Sequence, residues 1–125
     1  MPTPIKPHRE FFTVPPDAEW RAVAASAGQI EELVLADGLD AAAKRGSRSR
    51  LVRWRAGALI DRPVIHDFCE EVFLVEGDLV VGCDAQGAGG EPFGPYTFAC
   101  RPPAVWHGPF TSRRGCLMFE IQYYP

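Results

Sequence analysis

Apolar residues along this chain come in short bursts closed by glycine or proline, not at the spacing of an amphipathic helix. The clearest bursts cover residues 30–35, 50–55, 71–75, 79–83, 96–100, 105–109 and 117–124, with a weaker one at 20–24, and each predicts a β-strand. Glu76-Gly77-Asp78 stands between two of them, and a glycine able to take positive φ there predicts a hairpin pairing 71–75 antiparallel with 79–83. Along 117–124 the alternation gives one apolar face, Leu117, Phe119, Ile121 and Tyr123, which is assigned to the core. The other face, Met118, Glu120, Gln122 and Tyr124, is suited to a polar pocket or to water. Trp54 and Trp106 are expected to pack in the core, with Trp106 facing away from His107. Residues 37–48 contain Ala41-Ala42-Ala43-Lys44-Arg45, too short before Gly46 for a stable helix, so this stretch reads as a loop with a turn. Residues 85–92, with Gly87, Gly89 and Gly90, read as a solvated connection because no helix pattern follows to build a phosphate cradle. The prediction is an all-β sandwich or barrel.

A chain of 125 residues that is 46% hydrophobic is the size of one domain with one core. Residues 1–18 form an N-terminal extended arm, proline-rich around Phe11-Phe12 and carrying an exposed His8, and 19–125 form a single barrel. Such an arm either frays or docks on a sheet edge, its own or that of a second copy, and a homodimer is expected. A net charge of −3 without a basic stripe gives no footprint for nucleic acid. No apolar run approaches the roughly 20 residues that cross a bilayer, and the first residues lack the apolar core of a leader, so a cytoplasmic protein acting on small molecules is expected. Cys69, Cys83, Cys100 and Cys116 form no C-x-x-C pair and read as reduced, mostly buried side chains.

The candidate chemistry lies in two blocks, His66-Asp67-Phe68-Cys69-Glu70-Glu71-Val72-Phe73-Leu74-Val75-Glu76-Gly77 and Arg101-Pro102-Pro103-Ala104-Val105-Trp106-His107-Gly108-Pro109-Phe110. Two imidazoles and a carboxylate converging in a β-scaffold can hold Fe(II), Mn(II), Ni(II) or Zn(II). By alternation Glu70 shares a face with Val72 and Leu74, and His107 with Val105 and Pro109, which aims both inward among apolar neighbours. A carboxylate so placed is driven towards its neutral form unless a cation offsets the desolvation, which argues for a metal beside Glu70. Cys69 should point opposite to Glu70. Glu71, Glu76, Arg53 and Arg55 read as solvated side chains.

The order and spacing of the two blocks resemble the two motifs of the cupin superfamily (RmlC-like). The first motif runs glycine, His-x-His, three or four residues, Glu, six residues, Gly. Here His66 matches the second histidine, Asp67 to Cys69 the gap, Glu70 the glutamate and Gly77 the closing glycine, while His107 after Pro102-Pro103 matches the second motif. More narrowly, roughly residues 50–124 are similar to small single-domain cupins of the kind found in ChrR-type anti-sigma factors. The resemblance implies a double-stranded β-helix, or jelly-roll barrel, and a mononuclear metal held by His66, Glu70 and His107. It further implies a dioxygenase, isomerase or cyclase acting on a small oxygenated or aromatic compound. It equally allows a ligand- or metal-sensing module, although no helical segment or Cys/His cluster precedes the barrel as in an anti-sigma factor. The family's first histidine is replaced by Val64, so Asp61, Asp67 or Cys69 could complete the set, or the chain could be a metal-free relative.

Overall fold

Short β-branched and aromatic runs cannot bury themselves alone, and they assemble into two antiparallel sheets in the computed structural model, which describes residues 5–125. The strands are β1 (Arg21–Ala22), β2 (Ile30–Asp37), β3 (Ser47–Trp54), β4 (Leu59–Ile60), β5 (Cys69–Gly77), β6 (Leu79–Val81), β7 (Glu91–Phe93), β8 (Thr97–Arg101), β9 (Phe110–Thr111) and β10 (Cys116–Tyr123). One sheet has the order β1-β2-β3-β10-β5-β8 and the other β4-β9-β6-β7, with no helix among the described residues. The last long strand sits between β3 and β5, and this return of a late strand to the middle of a sheet makes the fold a jelly roll. Val52, Trp54, Val72, Leu74 and Met118 of the larger sheet form one buried cluster with Phe110 of the smaller, where Trp54 and Phe110 meet edge to face at 6.4 Å.

Three expectations about the strands are corrected. Residues 71–75 and 79–83 do not form a hairpin, because β5 is bonded on both sides, by β10 and β8, while β6 pairs with β7 and β9. Gly77-Asp78 is instead the corner where the chain leaves one sheet for the other. Gly77 has φ +84°, and a Cβ there would lie 2.0 Å from the Gly115 carbonyl oxygen. Asp78 secures the corner with a carboxylate that accepts N–H bonds from Arg113 at 3.1 Å and Arg114 at 2.8 Å. Burial pushes this carboxyl up, but the two N–H groups, the Ser112 hydroxyl and the Arg114 charge hold it below its ordinary value. Residues 105–109 are not a strand either: the second-motif segment contributes one bridge, His107 to Val64, before β9 begins at Phe110. Finally, β10 turns the other way round, with Cys116, Met118, Glu120 and Gln122 buried and the more apolar face half-exposed.

Trp54 is in the core as expected, whereas Trp106 is 66% exposed because its segment runs along the rim. Within the 37–48 stretch, which also holds the end of β2 and the start of β3, the chain turns between Asp40 and Arg45, whose backbones exchange hydrogen bonds of 2.8 and 3.1 Å. β7 takes up the end of the expected glycine-rich loop, and its Pro92 is accommodated at a sheet edge. All four cysteines are free, with Cys100 exposed and the others buried, and burial pushes the Cys116 thiol up to about 12. Of the expected arm, residues 1–4 lie outside the described residues. The rest docks on its own sheet, where Lys6 Nζ donates to Ser49 Oγ at 2.7 Å and Arg9 to the Leu35 carbonyl at 3.0 Å.

Gly77 and Gly28 both have positive φ, but a Cβ at Gly28 meets nothing within 4 Å. Gly77→Ala is expected to lower unfolding free energy by roughly 2–4 kcal/mol and Gly28→Ala by about 1 kcal/mol, measured by urea denaturation. Equal losses would show that the corner is not closely packed.

Candidate metal centre

The site is assembled from one strand and a short clip of backbone. Val64 and His107 exchange N–H···O bonds of 2.8 and 2.9 Å, and Ala104 N–H donates to the His66 carbonyl at 2.9 Å. These bonds tie the two loop segments together and set the His66 and His107 rings 5.0 Å apart. His66 is further fixed by stacking on Phe68 at 4.5 Å. Glu70 enters from the second position of β5, where alternation points it inward and leaves it buried. One potential ligand atom from each of His66, Glu70 and His107 lies within 4.8 Å of the other two. Among the described residues this is the one group of three or more His, Cys, Asp or Glu side chains close enough to share an ion.

The donor set suits a divalent cation. His107 Nδ1 lies 3.2 Å from the Val105 carbonyl, so a proton on Nδ1 is held there and Nε2 keeps its lone pair for the site. Burial, then the nearby Arg101 charge, holds the His107 imidazolium below its ordinary pKa and favours the neutral ring that binds metals. Of the substitutes considered for the missing histidine, Asp61 lines the same cavity. Asp67 is turned away, 3.6 Å from Lys44 Nζ and 3.3 Å from the Tyr124 hydroxyl. Cys69 is buried and does not line the cavity, as its alternation with Glu70 requires. Val64 itself packs against the core and lines the cavity as an apolar side chain.

Behind the triad stand charged groups that the sequence pattern did not single out. Register places Arg48, Gln122, Glu70 and Arg101 in one row across β3, β10, β5 and β8. Arg48 donates to Gln122 Oε1 at 2.6 and 3.2 Å, which turns the Gln122 amide NH2 to donate to Glu70 Oε2 at 3.1 Å. Arg101 lies 3.6 Å from the other Glu70 oxygen, and Arg50 lies 4.0 Å from Oε2. In the neighbouring row Arg50 bonds Glu120 at 2.7 and 3.0 Å and also contacts Glu32. Glu70 therefore has counter-charges of its own, and its burial does not by itself require a cation. Burial and the Glu70 charge push the Glu120 carboxyl up to about 7 despite the Arg50 pairing. Alternation placed Glu120 on the face of β10 suited to a polar pocket or to water, and only the pairing of β10 with β3 turns that face inward and sets Glu120 beside Arg50.

The triad and Glu120 open on a cavity of about 460 Å³ whose remaining wall is largely apolar, with Ile30, Val52, Trp54, Leu59, Phe110 and Met118 prominent. The 23–26 turn and residues 59–62 complete it. Glu71, Glu76 and Arg53 lie outside, Arg53 pairing with Glu31 at 3.2 Å and stacking 4.0 Å from Trp20. Arg55 and His8 are exposed. Glu76, Arg53, Arg55 and His8 match the solvated roles expected of them, whereas Glu71 is half-buried beside the Tyr123 hydroxyl.

No family model matches the chain, and no curated protein matches its sequence. Its structure is similar to several solved ones. An RmlC-like cupin from Shewanella frigidimarina superposes with a TM-score of 0.67 at 17% identity, covering 94% of this chain and 93% of that one. An acetylacetone dioxygenase from Acinetobacter johnsonii gives 0.63 at 18% identity, over 96% and 77%. The complex of SigE with the anti-sigma ChrR from Rhodobacter sphaeroides gives 0.59 at 15% identity over 84% of this chain, which spans 48% of the matched one. What is shared is the fold, an RmlC-like cupin barrel like that of the ChrR domain.

A carboxyl whose folded pKa of about 7 exceeds the ordinary 4.5 stabilises the fold in its neutral form. Its contribution is complete below the ordinary value and is lost as pH rises through about 7. Between pH 5 and 8 the unfolding free energy of the wild type should fall relative to that of Glu120→Gln, by on the order of 1–3 kcal/mol. Parallel pH profiles in urea denaturation would show that Glu120 stays ionised against Arg50.

Proposed function

We propose that this chain is a metal-dependent enzyme that holds one divalent ion between His66, Glu70 and His107 and acts on a small, mainly apolar compound bearing oxygen groups. The observation that carries this reading is the meeting of three ligand atoms within 4.8 Å on the wall of a largely apolar cavity of about 460 Å³. A divalent Fe, Mn, Ni or Zn ion bound there would supply Lewis acidity, and iron would add redox chemistry with O2 as co-substrate.

The chain's own residues divide the remaining tasks. His107 offers Nε2 because Val105 holds Nδ1, and Gln122 and Arg101 fix the Glu70 carboxylate from behind. Ile30, Val52, Trp54 and Met118 keep water away from the reacting groups and receive the apolar part of the substrate. Glu120, with its carboxyl pushed up to about 7, can hold or release a proton at the cavity wall near neutral pH. The similarity to a protein named as an acetylacetone dioxygenase supports an oxidative reaction on a small oxygenated compound. The free cysteines suit a reducing compartment and a cytoplasmic location.

One observation favours a second reading, a ligand-binding or sensing module without bound metal. Glu70 already faces Arg101, Arg50 and Gln122, and Val64 stands where a further imidazole would be. Elemental analysis of untagged protein purified without oxygen separates the two. Near-stoichiometric Fe, Mn or Ni is expected, and His107→Ala and Glu70→Gln should each weaken binding by roughly 100-fold or more while circular dichroism is unchanged. Oxygen consumption with phenolic and dicarbonyl compounds then tests the oxidative reaction, which zinc as the sole metal would exclude. Metal-free wild-type protein that also fails to take up added Fe(II), Mn(II) or Ni(II) would overturn the enzyme reading.

A further inference from the structure

Arg101 ends β8 opposite Glu70 of β5, and alternation with the exposed Cys100 turns its side chain into the cavity. Only 17% of that side chain is exposed, and its guanidinium lies 5.2 Å from the centre of the Phe110 ring, which the His107 ring approaches to 5.9 Å. Its polar contacts are few. Glu70 Oε1, at 3.6 Å, is its one ion-pair partner among the described residues, and none of its N–H groups donates a side-chain hydrogen bond to any of them. Arg50, the other buried guanidinium of the cavity, is by contrast held by Glu120 at 2.7 and 3.0 Å and by Glu32. A guanidinium carries several N–H donors, and burying them without acceptors is costly.

The charges of the cavity sharpen this contrast. Arg50 and Arg101 carry two positive charges against at most three negative ones on Glu32, Glu70 and Glu120, while Asp61 at the cavity wall pairs with Arg62 at 3.2 Å. The bare site is therefore close to balance. A divalent ion at His66, Glu70 and His107 would take up the Glu70 charge, leave an excess of at least one positive charge and deprive Arg101 of its counter-ion. An anion beside Arg101 restores the balance, and the wall of Ile30, Val52, Trp54 and Met118 holds no group that could supply it.

We propose that Arg101 anchors a carboxylate, and that the substrate class of the site is a small monocarboxylic acid with an apolar body. The inference rests on the metal reading given above and narrows its oxygen groups to an acid. A planar guanidinium grips both oxygens of a carboxylate through parallel N–H bonds, whereas a phosphate would bring further charge that one available guanidinium does not meet. The acid group lies at the triad, because Arg101 is 3.6 Å from a triad oxygen, so the reacting carbons are those nearest the carboxylate. The body then fills the apolar wall, and a cavity of about 460 Å³ has room for a phenyl group or a short alkyl chain.

Calorimetric titration of the whole chain, loaded with Zn(II) to avoid turnover, tests the anchor with phenylacetate and hexanoate against their neutral amides. Wild type should bind each acid roughly tenfold or more tightly than its amide. In Arg101→Gln the ratio should fall to near unity through weaker binding of the acid, with an unchanged circular dichroism spectrum. Should that variant not fold, Arg101→Lys keeps the charge beside Glu70 but cannot grip two oxygens, and the ratio should drop roughly threefold or more. Equal affinities for acid and amide in the wild type, or a preference that survives undiminished in the folded variant, would overturn the anchor. Metal content measured on the same samples separates this outcome from the metal reading. Bound Zn(II) with no preference for the acid overturns the anchor alone, and an Arg101-dependent preference in protein that takes up no metal sustains the anchor and overturns the metal centre.

Discussion

The register of β10 between β3 and β5 is the constraint on which the rest of the molecule depends. Its eight residues are paired on both sides, and the two-residue period of a strand makes that pairing decide what the cavity contains. In the observed register Met118 joins the apolar wall, Glu120 meets Arg50, and Gln122 sits between Arg48 and Glu70. A slip of one residue would turn Leu117, Phe119 and Ile121 inward and leave Arg50 and Glu70 without their partners. Buried guanidinium and carboxylate groups are tolerated only as a connected set, so the polar rows discriminate against such a slip more sharply than apolar packing alone.

On that frame the triad depends on very little regular structure. Glu70 is set by β5, but His66 and His107 are set by loop segments whose geometry comes from three backbone hydrogen bonds between 64–66 and 104–107. The imidazoles inherit a fixed separation without a strand of their own. Glu70 belongs to two networks at once, the triad and the cross-strand row ending at Arg101. A cation at the triad would therefore alter the field felt by Glu120 as well, because the two carboxylates already influence one another. Folds of this kind host unrelated chemistries, so the functional reading rests on these side chains and on the apolar cavity beside them.

Much was legible in the sequence where the signal is local. Strands centred on 30–35, 50–55, 71–75 and 117–124 appear where their apolar bursts are, and the 40–45 turn forms instead of a helix. His66, Glu70 and His107 converge as the motif spacing suggested. The failures share one physical cause. Gly77 permits a tight turn, but whether that turn closes a hairpin or crosses between sheets depends on whether β5 has an open edge, and β10 and β8 occupy both. The Val105-Trp106-His107 run has strand composition, yet it passes along the rim with a single bridge because its neighbour is a loop.

By itself, then, the sequence determined which residues alternate, where the chain can turn and which groups can bind a cation, because these follow from covalent order and the two-residue period. Only the tertiary structure decided which face of β10 is inside. Leu117, Phe119, Ile121 and Tyr123 make the more apolar face, yet Cys116, Met118, Glu120 and Gln122 are the buried ones. Hydrophobicity read along one strand measures how much area a face offers. Which face is taken depends on the partners that pairing delivers, here Arg48, Arg50 and Glu70, whose charges can be buried only against one another.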